Sequence, residues 1–225
     1  MEKDTAELTK VSQEIMNYII SLEGLNVHSM TRRKLQALET RNKIFHAAIK
    51  IINEKGYDNV NIEDITREAE VAKGSFYTYF KCKADILFFN AVYSDAIYQQ
   101  TYKEIEEMNF QEGLLEFISI SYRVHERRGK GVIKAIISNL FSIPDFNVFN
   151  RERILFQCFR KLIEKGKNEG FLSDKIDTEY YVNECLSTLI GGELLWCIDE
   201  KGSSLVDIMR NAFLMAIQGM KKQED

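Results

Sequence analysis

Apolar residues recur every three or four positions through most of the chain, the spacing that gathers them on one face of an α-helix. Leu8, Val11, Ile15, Tyr18 and Leu22 form one such face, with Asp4 and Glu7 placed as a capping box before it and Gly24 after it. This predicts a helix from Asp4 to Leu22, packed on its own domain or against a partner, then a short linker to Met30. A second helix begins near Thr31 or Thr40 and ends before Gly56, with Ile44, Ala47, Ala48, Ile51 and Ile52 inward. Asn61 and Asp64 repeat the cap signature and open a short helix to about Glu68. A turn at 70–72 leads into a helix of two turns, Lys73 to Tyr79. Longer helices are predicted over Ala84–Glu107, Gly113–His125, Lys130–Phe141, Asn147–Lys167, Thr178–Asp199 and Ser203–Met220, with Gly and Pro between them.

The helix from Thr178 carries two apolar stripes. Val182, Cys185, Leu189, Gly192 and Trp196 make one, and Leu186, Ile190, Leu194 and Cys197 make a second beside it. A helix apolar around most of its girth needs cover on two sides. Its own domain supplies one; a second subunit, or unusually deep burial in a monomer, supplies the other.

Composition agrees with an all-α chain. Twelve glycines and one proline in 225 residues are too few turn signals for an all-β fold. A chain 45% hydrophobic and 28% charged is not a disordered one. No apolar run nears the ~18–20 residues a bilayer needs, and the acidic start lacks a signal-peptide layout. A cytoplasmic protein with no membrane partner is expected. Cys82, Cys158, Cys185 and Cys197 lack metal-ligand spacing and read as free thiols, so neither metal nor cofactor is expected. The net charge of −4 hides an uneven distribution: residues 31–84 carry eleven basic and seven acidic groups, between two acidic flanks. A basic segment so placed suits a local anionic partner.

That basic segment has the layout of a helix-turn-helix. Ile62, Ile65, Ala69, Val71, Phe76 and Phe80 supply a small core, and the second helix is free to enter a major groove. Its exposed residues would be Lys73, Gly74, Ser75, Tyr77, Thr78 and Tyr79. Gly74 lets the backbone come close to bases or phosphates; the hydroxyls of Ser75, Thr78, Tyr77 and Tyr79 suit base edges and phosphates. Arg32, Arg33 and Lys34 crowd a helix N-terminus, where the dipole disfavours cations unless phosphates offset them. Lys83 would hold a phosphate or pair with Asp85.

Glu54-Lys55-Gly56-Tyr57, Ile62 to Ala69, the run Val71-Ala72-Lys73-Gly74-Ser75-Phe76-Tyr77-Thr78-Tyr79-Phe80, and Lys83 resemble the N-terminal domain of TetR-type bacterial transcriptional regulators. The resemblance implies that Phe76 and Phe80 are core, that Tyr77 and Lys83 hold phosphates, and that Lys73, Ser75, Thr78 and Tyr79 face the groove. It also implies a DNA-binding domain over 31–83 and a helical effector-binding and dimerisation domain over 84–225, after an extension over 1–30. In the dimer, Leu205, Met209, Ala212, Phe213 and Ala216 would join Val182, Cys185, Leu189, Gly192 and Trp196 in an intersubunit bundle. The expected function is that of a homodimeric repressor, released from a near-palindromic duplex operator by a small apolar, amphipathic or acyl ligand. Two features depart from the family: the added N-terminal segment, and Tyr79 where histidine is frequent.

Nothing in the sequence argues for catalysis. His28, His46 and His125 stand apart, with no nucleophile elbow and no phosphate-cradling glycine loop. The rival readings are a protein-interaction module on a helix-turn-helix scaffold and, further off, an enzyme built in the C-terminal domain. For an effector pocket the candidates are Tyr93, Tyr122, His125, Phe156 and Trp196, aromatic groups with a few polar handles.

Overall fold

The computed structural model describes residues 31–143 and 150–222. The predicted helix Asp4–Leu22 and the extension over 1–30 lie outside the described residues. Among the described residues the chain is all-α: α1 (Arg32–Lys55), α2 (Ile62–Glu68), α3 (Lys73–Tyr79), α4 (Asp85–Ile105), α5 (Phe110–Arg128), α6 (Lys130–Asn139), α7 (Ile154–Asn168), α8 (Thr178–Ile198) and α9 (Leu205–Met220).

Of its two candidate starts, α1 takes the first, because Thr31 Oγ1 accepts the Lys34 N–H at 3.4 Å. Thr40 lies inside the helix and bonds back to Gln36 O at 2.8 Å. The helix stops at Gly56, whose φ of 78° favours a residue without Cβ. The capping box at Asn61 and Asp64 forms in both directions and starts α2. Glu70 turns the chain with a φ of 51°, and α3 follows. Asn109 caps α5, and Gly129 at φ 96° ends it. Helix α7 begins at Ile154, later than the expected Asn147.

The chain forms two compact units. One runs up to Ile97 and takes in the segment from Gly131; the other holds Tyr98–Lys130 and the chain after residue 149. This division falls inside α4.

In the first unit Ile44, Ala48, Ile52, Ile65, Phe76, Ile86 and Leu87 are buried, and an aromatic chain links Phe76, Phe80, Phe89, Phe45 and Tyr93. Helix α6 joins this unit through Gly131. Its N–H donates to Asn53 Oδ1 at 2.8 Å, and a Cβ there would lie 2.7 Å from Asn53 Cα.

In the second unit α9 packs on α5 and α8, and α7 packs on α5 and α8. The core holds Phe110, Leu114, Phe117, Phe156, Phe159, Leu162, Leu172, Tyr181 and Phe213. The residues named for the interface are placed within one subunit as follows. Val182, Cys185, Leu189, Gly192 and Trp196 are buried within the subunit, as are Leu205, Met209 and Phe213; Ala212 and Ala216 are half-buried. At Gly192 a Cβ would lie 2.6 Å from Met209 Sδ, so this stripe is the seam between α8 and α9 of one chain. Trp196 is tied down too: Nε1 donates to Ser203 O at 3.0 Å and Lys130 Nζ stands 5.3 Å from its ring. Left outside are Ile190, Leu194, Leu195 and Ile198 on α8, with Leu214 and Met215 on α9.

Candidate nucleic-acid interface and the buried polar cluster

Helix α3 buries only Phe76, which anchors it to the core through Phe80. Around that anchor Lys73, Gly74, Tyr77 and Thr78 are exposed, while Ser75 and Tyr79 are half-buried. Gly74 is not demanded by the fold, since a Cβ there would meet nothing within 4 Å. The empty space therefore faces outward, where an incoming backbone or base can use it. Thr78 Oγ1 donates to Gly74 O at 3.1 Å, leaving its lone pairs to accept. Lys73 pairs with Glu63 on α2, a solvated contact that an external anion can displace.

Arg33 shares an open groove with Gln36, Ala37, Thr40, Ser75, Thr78 and Tyr79, so the start of α1 and the outer face of α3 border one surface. Arg32 and Lys34 are exposed beside it. Lys83 does not pair with Asp85. Its ammonium donates to Tyr57 O at 2.6 Å and Val60 O at 2.9 Å, above the Tyr57 ring at 4.2 Å. Burial lowers its pKa. Asp85 instead accepts the Lys81 N–H at 2.6 Å. Two of the three Lys83 donors thus close the turn before α2, leaving one for a phosphate.

Of the candidate pocket residues one lies in the first unit and four in the second. Tyr93 belongs to the first unit, stacked on Phe45 at 5.6 Å. Trp196 closes the α8–α9 turn, and Phe156 is fully buried under Arg151. Tyr122 and His125 do meet, with ring centroids 5.1 Å apart. Two residues the sequence reading missed complete their cluster: Tyr98 shares a hydrogen bond with His125 Nε2 at 3.0 Å, and Tyr122 donates to Glu193 Oε1 at 3.2 Å. Burial lifts the Glu193 carboxyl to about 7. It holds His125 down to about 3, helped by Arg128 and Arg153. The imidazole is neutral at pH 7, and the carboxyl keeps part of its proton. Such a cluster offers hydrogen bonds to a neutral polar group more readily than it balances a full charge. The signal was available: Glu193 is the lone charged residue between Cys185 and Ile198.

Among the described residues no group of histidine, cysteine and carboxylate side chains could hold a metal, and no helix is long and apolar enough to cross a membrane. Cys158, Cys185 and Cys197 are buried free thiols, and burial pushes Cys185 up to about 12.

Residues 44–88 match the family of bacterial regulatory proteins of the tetR family. The chain carries a TetR-type N-terminal domain. This TetR-type segment is similar to YvdT of Bacillus subtilis (strain 168), an uncharacterized HTH-type transcriptional regulator, at 51% identity over 41 residues. That stretch is 18% of this chain and 21% of YvdT. The chain spans about a fifth of the length of this and two other curated relatives it matches. Over a longer span the chain shares the fold of two solved structures. One is the fatty acid degradation regulator FadR from Bacillus halodurans, with a TM-score of 0.65, 19% identity, and coverage of 82% of this chain and 97% of that one. The other is the transcriptional regulator FadR from Bacillus subtilis in complex with stearoyl-CoA, with a TM-score of 0.60, 21% identity, and coverage of 79% and 97%.

Proposed function

We propose that the protein is a homodimeric transcriptional repressor that reads a near-palindromic duplex operator through α3 and leaves it when a small acyl or other amphipathic ligand binds. The observation that carries the DNA reading is the outer face of α3. Its glycine borders open space, Tyr77 and Thr78 are exposed with Ser75 and Tyr79 half-buried beside them, and it shares a groove with a cationic helix start. Two such helices would occupy successive major grooves about 34–36 Å apart. Arg32, Arg33, Lys34 and the remaining donor of Lys83 would hold phosphates, while Lys73, Ser75, Thr78 and Tyr79 would meet base edges. Pairing of subunits is supported by the apolar residues that α8 and α9 leave exposed, Ile190, Leu194, Leu195, Ile198, Leu214 and Met215. The acyl class is supported by the ligand of the Bacillus subtilis structure, and the Tyr98, Tyr122, His125 and Glu193 cluster supplies polar handles for a carbonyl. A coupling of about 1–3 kcal/mol between ligand and operator is the usual scale.

The test is selection of bound duplexes from a random pool, with and without stearoyl-CoA. Enrichment of inverted half-sites about one helical turn apart is expected, with Gly74→Ala keeping its fold and losing enrichment. A pool that stays random at low salt would overturn the operator reading. Enrichment unaffected by stearoyl-CoA would remove the acyl ligand and leave DNA binding standing.

A further inference from the structure

A cleft of about 530 Å³ opens in the second unit between the loop after α7, the first turns of α8 and the last turn of α9. Its size is that of small-molecule sites. Lys175, Lys221 and Lys222 line it with Ser173, Tyr180 and Glu184, over an apolar floor of Ile176, Ala216 and Met220. The walls are held by the backbone: Lys222 N–H donates to Phe171 O at 2.9 Å and Ser173 N–H to Tyr181 Oη at 3.2 Å. Ser173 Oγ accepts the Lys175 N–H at 3.3 Å, which leaves its own O–H to donate.

The electrostatics of this cleft are one-sided. None of the three lysine ammonium groups pairs with a carboxylate among the described residues; of the nearby carboxylates Asp174 stands exposed beside Lys175, and two others are already engaged. Asp177 caps α8, and Glu179 is held by Arg151 and Arg160. Lys175, Lys221 and Lys222 against Glu184 and Asp174 leave one excess positive charge at a concave wall, a field that favours an anion there. The Tyr180 ring is 56% exposed at the same wall, a flat apolar face with no aromatic cover beyond Tyr181 edge-on. Converging cations, a free hydroxyl, a flat ring and one carboxylate together match a polyphosphate attached to a planar base and a sugar.

We propose that this cleft binds the diphosphate end of an adenine nucleotide, either free or as the head of coenzyme A. Lys175, Lys221, Lys222 and Ser173 hold the phosphates, Tyr180 stacks on the base and Glu184 accepts from the ribose hydroxyls. The cleft lies at the start of α8 and the end of α9: at ~1.5 Å per residue Glu184 is ~9 Å along α8 from Ile190, and Ala216 adjoins Met215, so the cleft borders the face assigned to subunit pairing.

The experiment is calorimetric titration of the full chain, without DNA, against ADP, pyrophosphate and coenzyme A; it is independent of the operator reading because no duplex is present. ADP should bind more tightly than pyrophosphate. The double variant Lys221→Ala, Lys222→Ala should weaken ADP and coenzyme A by about tenfold or more. Tyr180→Ala should weaken ADP about fivefold or more and leave pyrophosphate unchanged. These side chains are exposed, so a thermal melt matching the parent protein confirms that each variant folds. Coenzyme A binding tighter than ADP assigns the carrier as occupant; equal affinities assign the free nucleotide. No ADP binding at millimolar concentration, ADP no tighter than pyrophosphate, or an unchanged affinity in the lysine variant overturns the site.

Discussion

Helices α3 and α8 face opposite problems. Helix α3 has seven residues and buries one of them, so once Phe76 is placed the remaining side chains have nowhere to go but outward. Helix α8 has 21 residues and apolar groups on all sides, and only packing decides which side the subunit keeps. The stripe through Cys185 and Leu189 is kept; the row through Leu194 and Ile198 is not. A short helix thus advertises its outer face, whereas a long apolar one conceals which of two faces is spare.

The sharpest way to break this comparison is to charge both faces of α8. Cys185→Asp, on the kept face, should cost about 4 kcal/mol or more, because a carboxylate there has neither water nor a cation. Ile198→Asp, 66% exposed in the subunit, should change subunit stability by less than about 0.5 kcal/mol. In sedimentation the second variant should run as a folded monomer and the first should be unfolded. Folded monomers from Cys185→Asp would restore the buried stripe as the interface.

The next effect separates a glycine the fold needs from one it does not. Gly131→Ala forces a Cβ onto the backbone of α1 and should lower stability by about 1–3 kcal/mol in urea titration. An unchanged midpoint would mean that α6 is free to move away from α1.

The polar cluster of the second unit gives a third test, of about 1.4 kcal/mol per pH unit for each group. Folded Glu193 keeps its proton to about 7, while the unfolded carboxyl releases it near 4.5, so its contribution to stability falls as pH rises through that window. Folded His125 stays neutral down to about 3, while the unfolded imidazole protonates near 6.5, so its contribution falls as pH drops. Between pH 4.5 and 6.5 the two slopes oppose each other. Relative to the parent protein, Glu193→Gln should gain stability with rising pH there and His125→Gln should lose it, read from melting temperatures. Slopes of the same sign in both variants would break the assignment.

The smallest effect is Gly74→Ala, which should raise thermal stability by about 0.5–1 kcal/mol through helix propensity alone. A loss of stability would mean that the space beside Gly74 is occupied within the chain.

These cases mark how far the sequence was legible. Helix order and most boundaries follow from periodicity and caps such as Thr31, Asn61 and Asn109, since these are local signals. The outward row on α3 follows as well. What did not follow needed partners distant in sequence. Lys83 reaches back to carbonyls 26 and 23 positions earlier instead of the aspartate beside it. Glu193 meets a tyrosine 71 positions away, and its place in an apolar helix was the one trace of that contact. The candidate pocket was chosen by residue type, and type alone cannot separate Tyr93 from Tyr122.

The fit of Gly131 against Asn53 also bears on how the molecule can be taken apart. A chimera joined near residue 83 would transplant α1 without the segment it clasps, and a foreign side chain opposite Asn53 would meet backbone rather than space. Grafting the first unit onto another chain therefore calls for two junctions, so that the segment from Gly131 travels with it.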